Sequence, residues 1–308
     1  MDVILHFGVH RTATTTFQRM LGQSGPVLRA QGCVYWGPKR TRSDLFEGLL
    51  GSAERSFPWG GTRPSPSGRV ERALSGLADE GAKKLLVSEE NMVGTMGQAL
   101  AKTSLYPDVA ARAARLATTF GPFCRRVALG IRSYDAWWAS VLAFCVARSG
   151  PVPSRLLAAE LAAQKRRWRH VIEEIAAAFP ASEVVVWTHE VMSARPEIAA
   201  RGLLGDDLPR LSGIRDWHNA SPTPAAIRRH LADLGESDAG VIETMGRFMP
   251  FDGSERRVLQ AAYAEDIAWL RAGPGGRIRY IDDLDTDPIA AGVRRGQSDA
   301  EGQDRRVG

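Results

Sequence analysis

The chain has 308 residues, 44% of them hydrophobic, which is enough to bury a sizeable core. Forty Lys and Arg stand against 35 Asp and Glu, a net charge of +5; this suits an anionic ligand but excludes the dense basic tract of a non-specific nucleic-acid binder. Cys33, Cys124 and Cys145 are odd in number and scattered, so neither a disulfide framework nor a metal-ligand spacing is present, and burial of all three is expected.

Residues 3–7 are rich in β-branched and aromatic side chains and predict a buried strand that Gly8 ends. Phe17, Met20 and Leu21 then share one helical face, so residues 10–16 form the strand-to-helix turn. A helix start presents N–H groups without intrahelical acceptors and adds positive potential, which makes it an anion site. Thr12, Thr14, Thr15 and Thr16 add hydroxyls there, and Arg11 adds a fork matched to phosphate or sulfate oxygens. Capping alone needs only one or two of these threonines.

Residues 57–68 are Pro- and Gly-rich and read as a loop, either a linker or a flap. Strand patterns follow at 83–91, 125–133 and 183–190. Helical patterns occupy 108–119, 136–148, 155–179, 225–234 and 255–272. In the last of these, Leu259, Ala262, Tyr263, Ile267 and Leu270 make an apolar stripe suited to core packing. Residues 286–308 lack periodicity and read as a disordered tail, which leaves 1–285 as one α/β domain.

Strands alternating with helices predict a mostly parallel central sheet flanked by helices on both faces, an α/β three-layer sandwich. Ligands in such sheets sit beyond the carboxyl ends of the strands. Three strands deliver polar clusters to that edge: "GVHRTATTT", "SEEN" and "RSYD". The first turn is not a Walker A loop, because no Gly-Lys-Ser/Thr follows at the required spacing. Arg132 ends a strand, and Ser140 lies about two turns into the next helix, where the pair suits a further phosphate.

These clusters resemble the sulfotransferases that use 3′-phosphoadenosine 5′-phosphosulfate (PAPS). The family's Lys-x-Gly-Thr-Thr core matches Arg11, Thr12, Ala13, Thr14 and Thr15, with Thr16 following. Its Arg and Ser eight apart match Arg132 and Ser140. Ser88, Glu90, Asn91 and Met92 resemble the Ser-x-Glu-Asn-Leu segment of bacterial members, "WHNASPTPAAIRRHL" (217–231) resembles their late Asn-x-Ser segment, and "AYAEDIAWL" (262–270) their final helix. The resemblance spans most of residues 3–271. It implies a P-loop-like fold, binding of a 5′-phosphosulfate by the first turn and of a 3′-phosphate by Arg132 and Ser140, and release of adenosine 3′,5′-bisphosphate (PAP) without a metal.

Two positions depart from the pattern. Arg11 replaces Lys, and Ala13 replaces Gly, adding a methyl where a positive φ is restricted. Sulfonate transfer also needs a base for the acceptor's proton. Glu90 at a strand end is the first choice and His10 beside the turn is the alternative. His170, among Arg166, Arg167 and Arg169, belongs to a solvated basic face, and His189 with Glu190 to the framework. The acceptor is expected to be a carbohydrate, glycolipid or small metabolite, with no nucleic acid or integral membrane segment involved. Asp2 stands where a signal peptide has a basic start, so a cytoplasmic protein is expected, and abundant Ala, Arg and Gly suggest a GC-rich bacterial gene. Two other readings stay open: a PAPS- or PAP-binding protein with little turnover, and a nucleotide-dependent kinase with a degenerate phosphate loop.

Overall fold

Six strands, all paired in parallel, form the central sheet of the computed structural model, which describes residues 1–50, 65–148, 150–212 and 221–282. They are β1 (Asp2–Phe7), β2 (Cys33–Trp36), β3 (Lys84–Glu89), β4 (Cys124–Ile131), β5 (Glu183–Thr188) and β8 (Ile278–Ile281). Their spatial order is β2-β3-β1-β4-β5-β8, so β1 lies inside the sheet with its carboxyl end flanked by those of β3 and β4. A two-stranded antiparallel hairpin, β6 (Glu243–Thr244) and β7 (Arg247–Phe248), stands apart.

The sheet is covered on both faces, as the near-continuous apolar strands require. Alternation along each strand divides the core. Val3, Leu5, Phe7, Leu85, Val87, Val127 and Leu129 enter the larger cluster, while Ile4, Leu86, Ala128 and Val185 enter the smaller one beneath helix α1 (Thr14–Gln23). The Tyr134–Val146 helix is apolar around most of its circumference and is buried accordingly. Trp137 and Trp138 meet edge to face at 4.6 Å, and Tyr106 and Trp168 complete an aromatic platform around Trp137.

The expected α/β architecture is the one observed, with differences in detail. The strand at 83–91 ends at Glu89, and Glu90–Met92 forms a turn of 3-10 helix. The long helix at 155–179 is two helices, Arg155–Ala163 and Trp168–Ala178. Between them the Arg166 guanidinium donates to the Leu105 carbonyl and to the Glu174 carboxylate, pinning the connection to its neighbours. The second helix then starts anew, with His170 Nδ1 accepting the Arg167 backbone N–H. The strands β2 and β8, four residues each, were not expected. Cys33 and Cys124 are buried and Cys145 is half-buried, so burial does not extend to all three; all are free thiols.

No helix among the described residues is long and apolar enough to cross a membrane. Residues 57–64 of the proposed loop, residues 217–220 of the late Asn-x-Ser segment and the expected tail at 286–308 lie outside the described residues, while Pro66–Gly68, read as loop, open the Pro66–Asp79 helix that Ser65 caps.

Candidate functional site

A cleft of about 1400 Å³ opens at the carboxyl edge of the sheet, above β1, β3 and β4. One wall is the turn between β1 and α1. Gly8 is needed there for space: a Cβ would come within 2.7 Å of Thr14 Cγ2 and 3.2 Å of Glu90 Cγ. Arg11 and Ala13 both adopt left-handed backbone, with φ of 64° and 65°. Such a conformation costs an L-residue about 1–2 kcal/mol, so the surroundings must enforce it.

They do so by clamping three consecutive carbonyls. Thr12 Oγ1 and Thr14 Oγ1 donate to the Val9 carbonyl at 2.7 and 2.9 Å. Trp137 Nε1 donates to the His10 carbonyl at 2.9 Å, and Arg132 Nη1 to the Arg11 carbonyl at 2.8 Å. Trp168 Nε1 in turn holds the Arg132 carbonyl at 2.8 Å. The aromatic platform therefore fixes the turn from below. Ala13, at the N-cap of α1, has no side-chain cap bond, so the helix's first N–H groups receive no cap from that residue.

The Arg11 side chain crosses the cleft. Its Nε donates to Ser140 Oγ at 2.8 Å and its Nη2 to Ser221 Oγ at 2.9 Å, with the two hydroxyls 2.7 Å apart. The guanidinium lies 5.2 Å from the Phe144 ring centroid. Burial, then Arg132 and Arg148, lower its pKa to about 10. Arg132 is likewise lowered, chiefly by burial. Among the described residues no carboxylate hydrogen-bonds either guanidinium. Glu190 and Asp135 offset part of the Arg132 charge, and the positive potential left around Arg11 favours an anion beside it.

His10 is tied to Tyr106. The Tyr106 hydroxyl accepts the His10 backbone N–H at 3.1 Å and lies 3.1 Å from His10 Nδ1. In that second contact the phenol or Nδ1 donates according to the ring's tautomer. Burial, then Arg42 and Arg11, lower the His10 pKa to about 4, so the ring is neutral. Where the phenol donates, Nε2 carries the imidazole proton; where Nδ1 donates, Nε2 is the free nitrogen.

The opposite wall carries the other candidate. Glu89 is fully buried and saturated: it accepts from Arg42 Nε and Nη2, from Thr41 Oγ1 at 2.7 Å and from the Asn91 backbone N–H at 2.9 Å. Arg42 Nη2 also reaches Glu90 Oε2 at 2.6 Å. Glu90 lines the cleft, and burial followed by the charge of Glu89 raises its pKa, with Arg42 opposing. A carboxylate so placed is more basic than a solvated one.

The sequence-predicted residues thus fall into two groups. His10, Arg11, Ala13, Thr14, Thr15, Thr16, Glu90, Arg132 and Ser140 all line the cleft. Thr12 does not: it is buried, and its hydroxyl is spent on the Val9 carbonyl. Arg11 and Ser140, expected at separate phosphates, are hydrogen-bonded to each other. Arg166, Arg167 and Arg169, expected as a solvated basic face, are paired with Glu174, Glu265 and Asp266. His189, expected in the framework, lines the cleft near Arg132 and is lowered to about 4 by burial first. Tyr106, Trp137 and Arg42 went unforeseen because each acts on the turn or on Glu90 from a distant segment. Ser221 had a signal, since it is the serine of the late Asn-x-Ser segment.

No family model matches the chain, and no curated protein matches it. Among solved structures it is similar to a sulfotransferase from Alicyclobacillus acidocaldarius, at 15% identity and a TM-score of 0.38, covering 88% of this chain and 95% of the other.

Proposed function

We propose that this chain is a PAPS-dependent sulfotransferase that moves a sulfonate group to a hydroxyl of a carbohydrate, glycolipid or small-metabolite acceptor. The observation that carries this reading is the meeting of Arg11, Arg132 and Ser140 beside the start of α1, with no carboxylate among the described residues hydrogen-bonded to either guanidinium. A ligand with anionic groups at two places fits such a cluster.

When bound, the donor supplies the sulfonate and departs as PAP. Arg11 and the first turn of α1 neutralise charge on the 5′ side, with Thr15 and Thr16 lining that end. Arg132 and Ser140 bind the 3′-phosphate. With the Tyr106 phenol donating to Nδ1, His10 Nε2–H is a further donor to oxygens of the group in transfer. Glu90 takes the proton as the acceptor oxygen bonds to sulfur. Thr12 serves by holding the turn in shape rather than by touching ligand.

A second reading, nucleotide binding without turnover, is favoured by the commitment of the Arg11 guanidinium to Ser140 and Ser221. Calorimetric titration with PAP, 5′-AMP, ADP and ATP is the first test, followed by transfer of labelled sulfonate. Binding selective for PAP supports the donor site, and transfer then separates enzyme from binder. Preference for ATP with magnesium overturns both in favour of a kinase.

A further inference from the structure

Phe17, Met20 and Leu21 of α1 pack into the core, and Gln18 among them is buried as well, at 8% exposure, where it lines the cleft. A buried amide is kept in a folded chain where its donors are used. One use is set by the sheet. The parallel register of β1 and β3 places His6 opposite Ser88, and His6 Nδ1 lies 2.7 Å from Ser88 Oγ. Gln18 Nε2 donates to that same hydroxyl at 3.2 Å and to the Ser88 carbonyl at 3.4 Å. The amide is thus pinned, by groups on two strands, at a point two residues ahead of Glu90.

The other use faces the cleft. Thr14 and Gln18 stand one turn apart on α1. Gly8 brings that face of the helix close to Glu90, since a Cβ there would meet both Thr14 Cγ2 and Glu90 Cγ. The second amide proton of Gln18 serves the Glu90 carboxylate, a contact that favours its charged form. Other groups press on Glu90 from each side. Glu89 repels its charge, and Arg42 attracts it while divided between the two carboxylates. Tyr35 from β2 and Tyr106 are phenols whose pKa values are pushed up by burial first, with Glu90 adding, so both stay neutral. Gln18 differs from Arg42 in carrying no charge. It can fix the direction of the carboxylate without cancelling the basicity that burial and Glu89 confer.

Resting on the reading of Glu90 as the proton acceptor in sulfonate transfer, we propose that Gln18 is a positioning residue: anchored on Ser88, which His6 holds from behind, its amide keeps the Glu90 carboxylate aimed into the cleft at the hydroxyl to be modified. A carboxylate held in one orientation meets that hydroxyl without a search among rotamers.

The test reads Glu90 directly. The full chain is labelled with carbon-13 at its glutamate carboxyl groups, and the Glu90 signal, assigned by its loss in Glu90→Gln, is followed through pH by NMR. In Gln18→Leu, which keeps the volume and removes the donor, the Glu90 pKa should rise by about one pH unit. Ser88→Ala frees the amide from its anchor and should raise it less, in the same direction; it decides the matter if Gln18→Leu does not fold. Release of labelled sulfonate from PAPS to water as the acceptor should show its acid limb moved up with the Glu90 pKa and its plateau lowered about tenfold in Gln18→Leu, with the PAP dissociation constant unchanged. A merely structural role would lower the plateau and leave the limb in place. An unmoved Glu90 signal in a folded variant, or a limb that stays in place, overturns the proposal. A chain that neither binds PAP nor releases sulfonate overturns the donor reading instead, and the carboxyl titration still judges the hold of Gln18 on Glu90.

Discussion

The two walls of the cleft handle charge in opposite ways. On the β1–α1 side, Arg11 and Arg132 are desolvated, close to one another and, among the described residues, hydrogen-bonded to hydroxyls and a carbonyl. On the β3 side, Arg42 is shared between a saturated buried Glu89 and the cleft-lining Glu90. The first wall holds two cations on a clamped backbone, with Glu190 and Asp135 offsetting Arg132 in part. The second sets the Arg42 guanidinium against two carboxylates and holds Glu90 at raised basicity. Binding and proton transfer are therefore separable, and variants should divide along that line.

The largest expected effect is on chemistry alone. Glu90→Gln should lower kcat by about 10²–10⁴ while the PAP dissociation constant stays constant, as rate and calorimetric measurements will show. A matching loss of PAP affinity would merge the two walls and sink the division. Arg132→Ala should do the converse. It removes a charged partner of the ligand and the clamp on the Arg11 carbonyl, so PAP should bind roughly 10- to 100-fold more weakly.

A smaller effect sharpens the role of His10. Tyr106→Phe deletes the hydroxyl bonded to its ring and orphans its backbone N–H, with an expected fall in kcat of about fivefold. His10→Gln, which retains a donor, should keep more activity than His10→Ala; a base would not be rescued this way. Arg42→Gln tests the other wall by pH. Arg42 pulls the Glu90 pKa down against burial and Glu89, so its removal lets that pKa rise. Activity needs ionised Glu90, and the acid limb of the kcat profile should move to higher pH. The mildest change is Ala13→Gly. It relieves a left-handed L-residue but loosens the unfolded chain, for a net gain of roughly 0.5 kcal/mol in urea unfolding.

The long sheet strands were legible because each is a short apolar run closed by polar residues, and parallel burial imposes that pattern. The turn at residues 10–16 was legible for a related reason: a helix start, hydroxyls and an arginine stand consecutively in the chain. Local pattern does not reach further. Strands β2 and β8 are too short to show a period. The break at Gln164 depends on an arginine bonding to residues 105 and 174. Most telling is the pair Thr12 and Tyr106. The hydroxyl that reads as a ligand donor is turned inward to the Val9 carbonyl, while the residue bonded to His10 at both its backbone N–H and its ring lies 96 positions away.

Beneath α1, on the sheet's other face, His6 bonds Ser88 Oγ through Nδ1 at 2.7 Å and sits between Phe17 and Trp187. Its Nε2 is buried without a partner, and burial lowers its pKa to about 3. Unfolded, the same ring protonates near pH 6.5. Between those values the unfolded chain takes up a proton that the native one refuses. Stability is then level above pH 6.5 and declines by up to about 1.4 kcal/mol for each pH unit below it. One imidazole under α1 thus sets an acid boundary on folding, independent of any titration in the cleft.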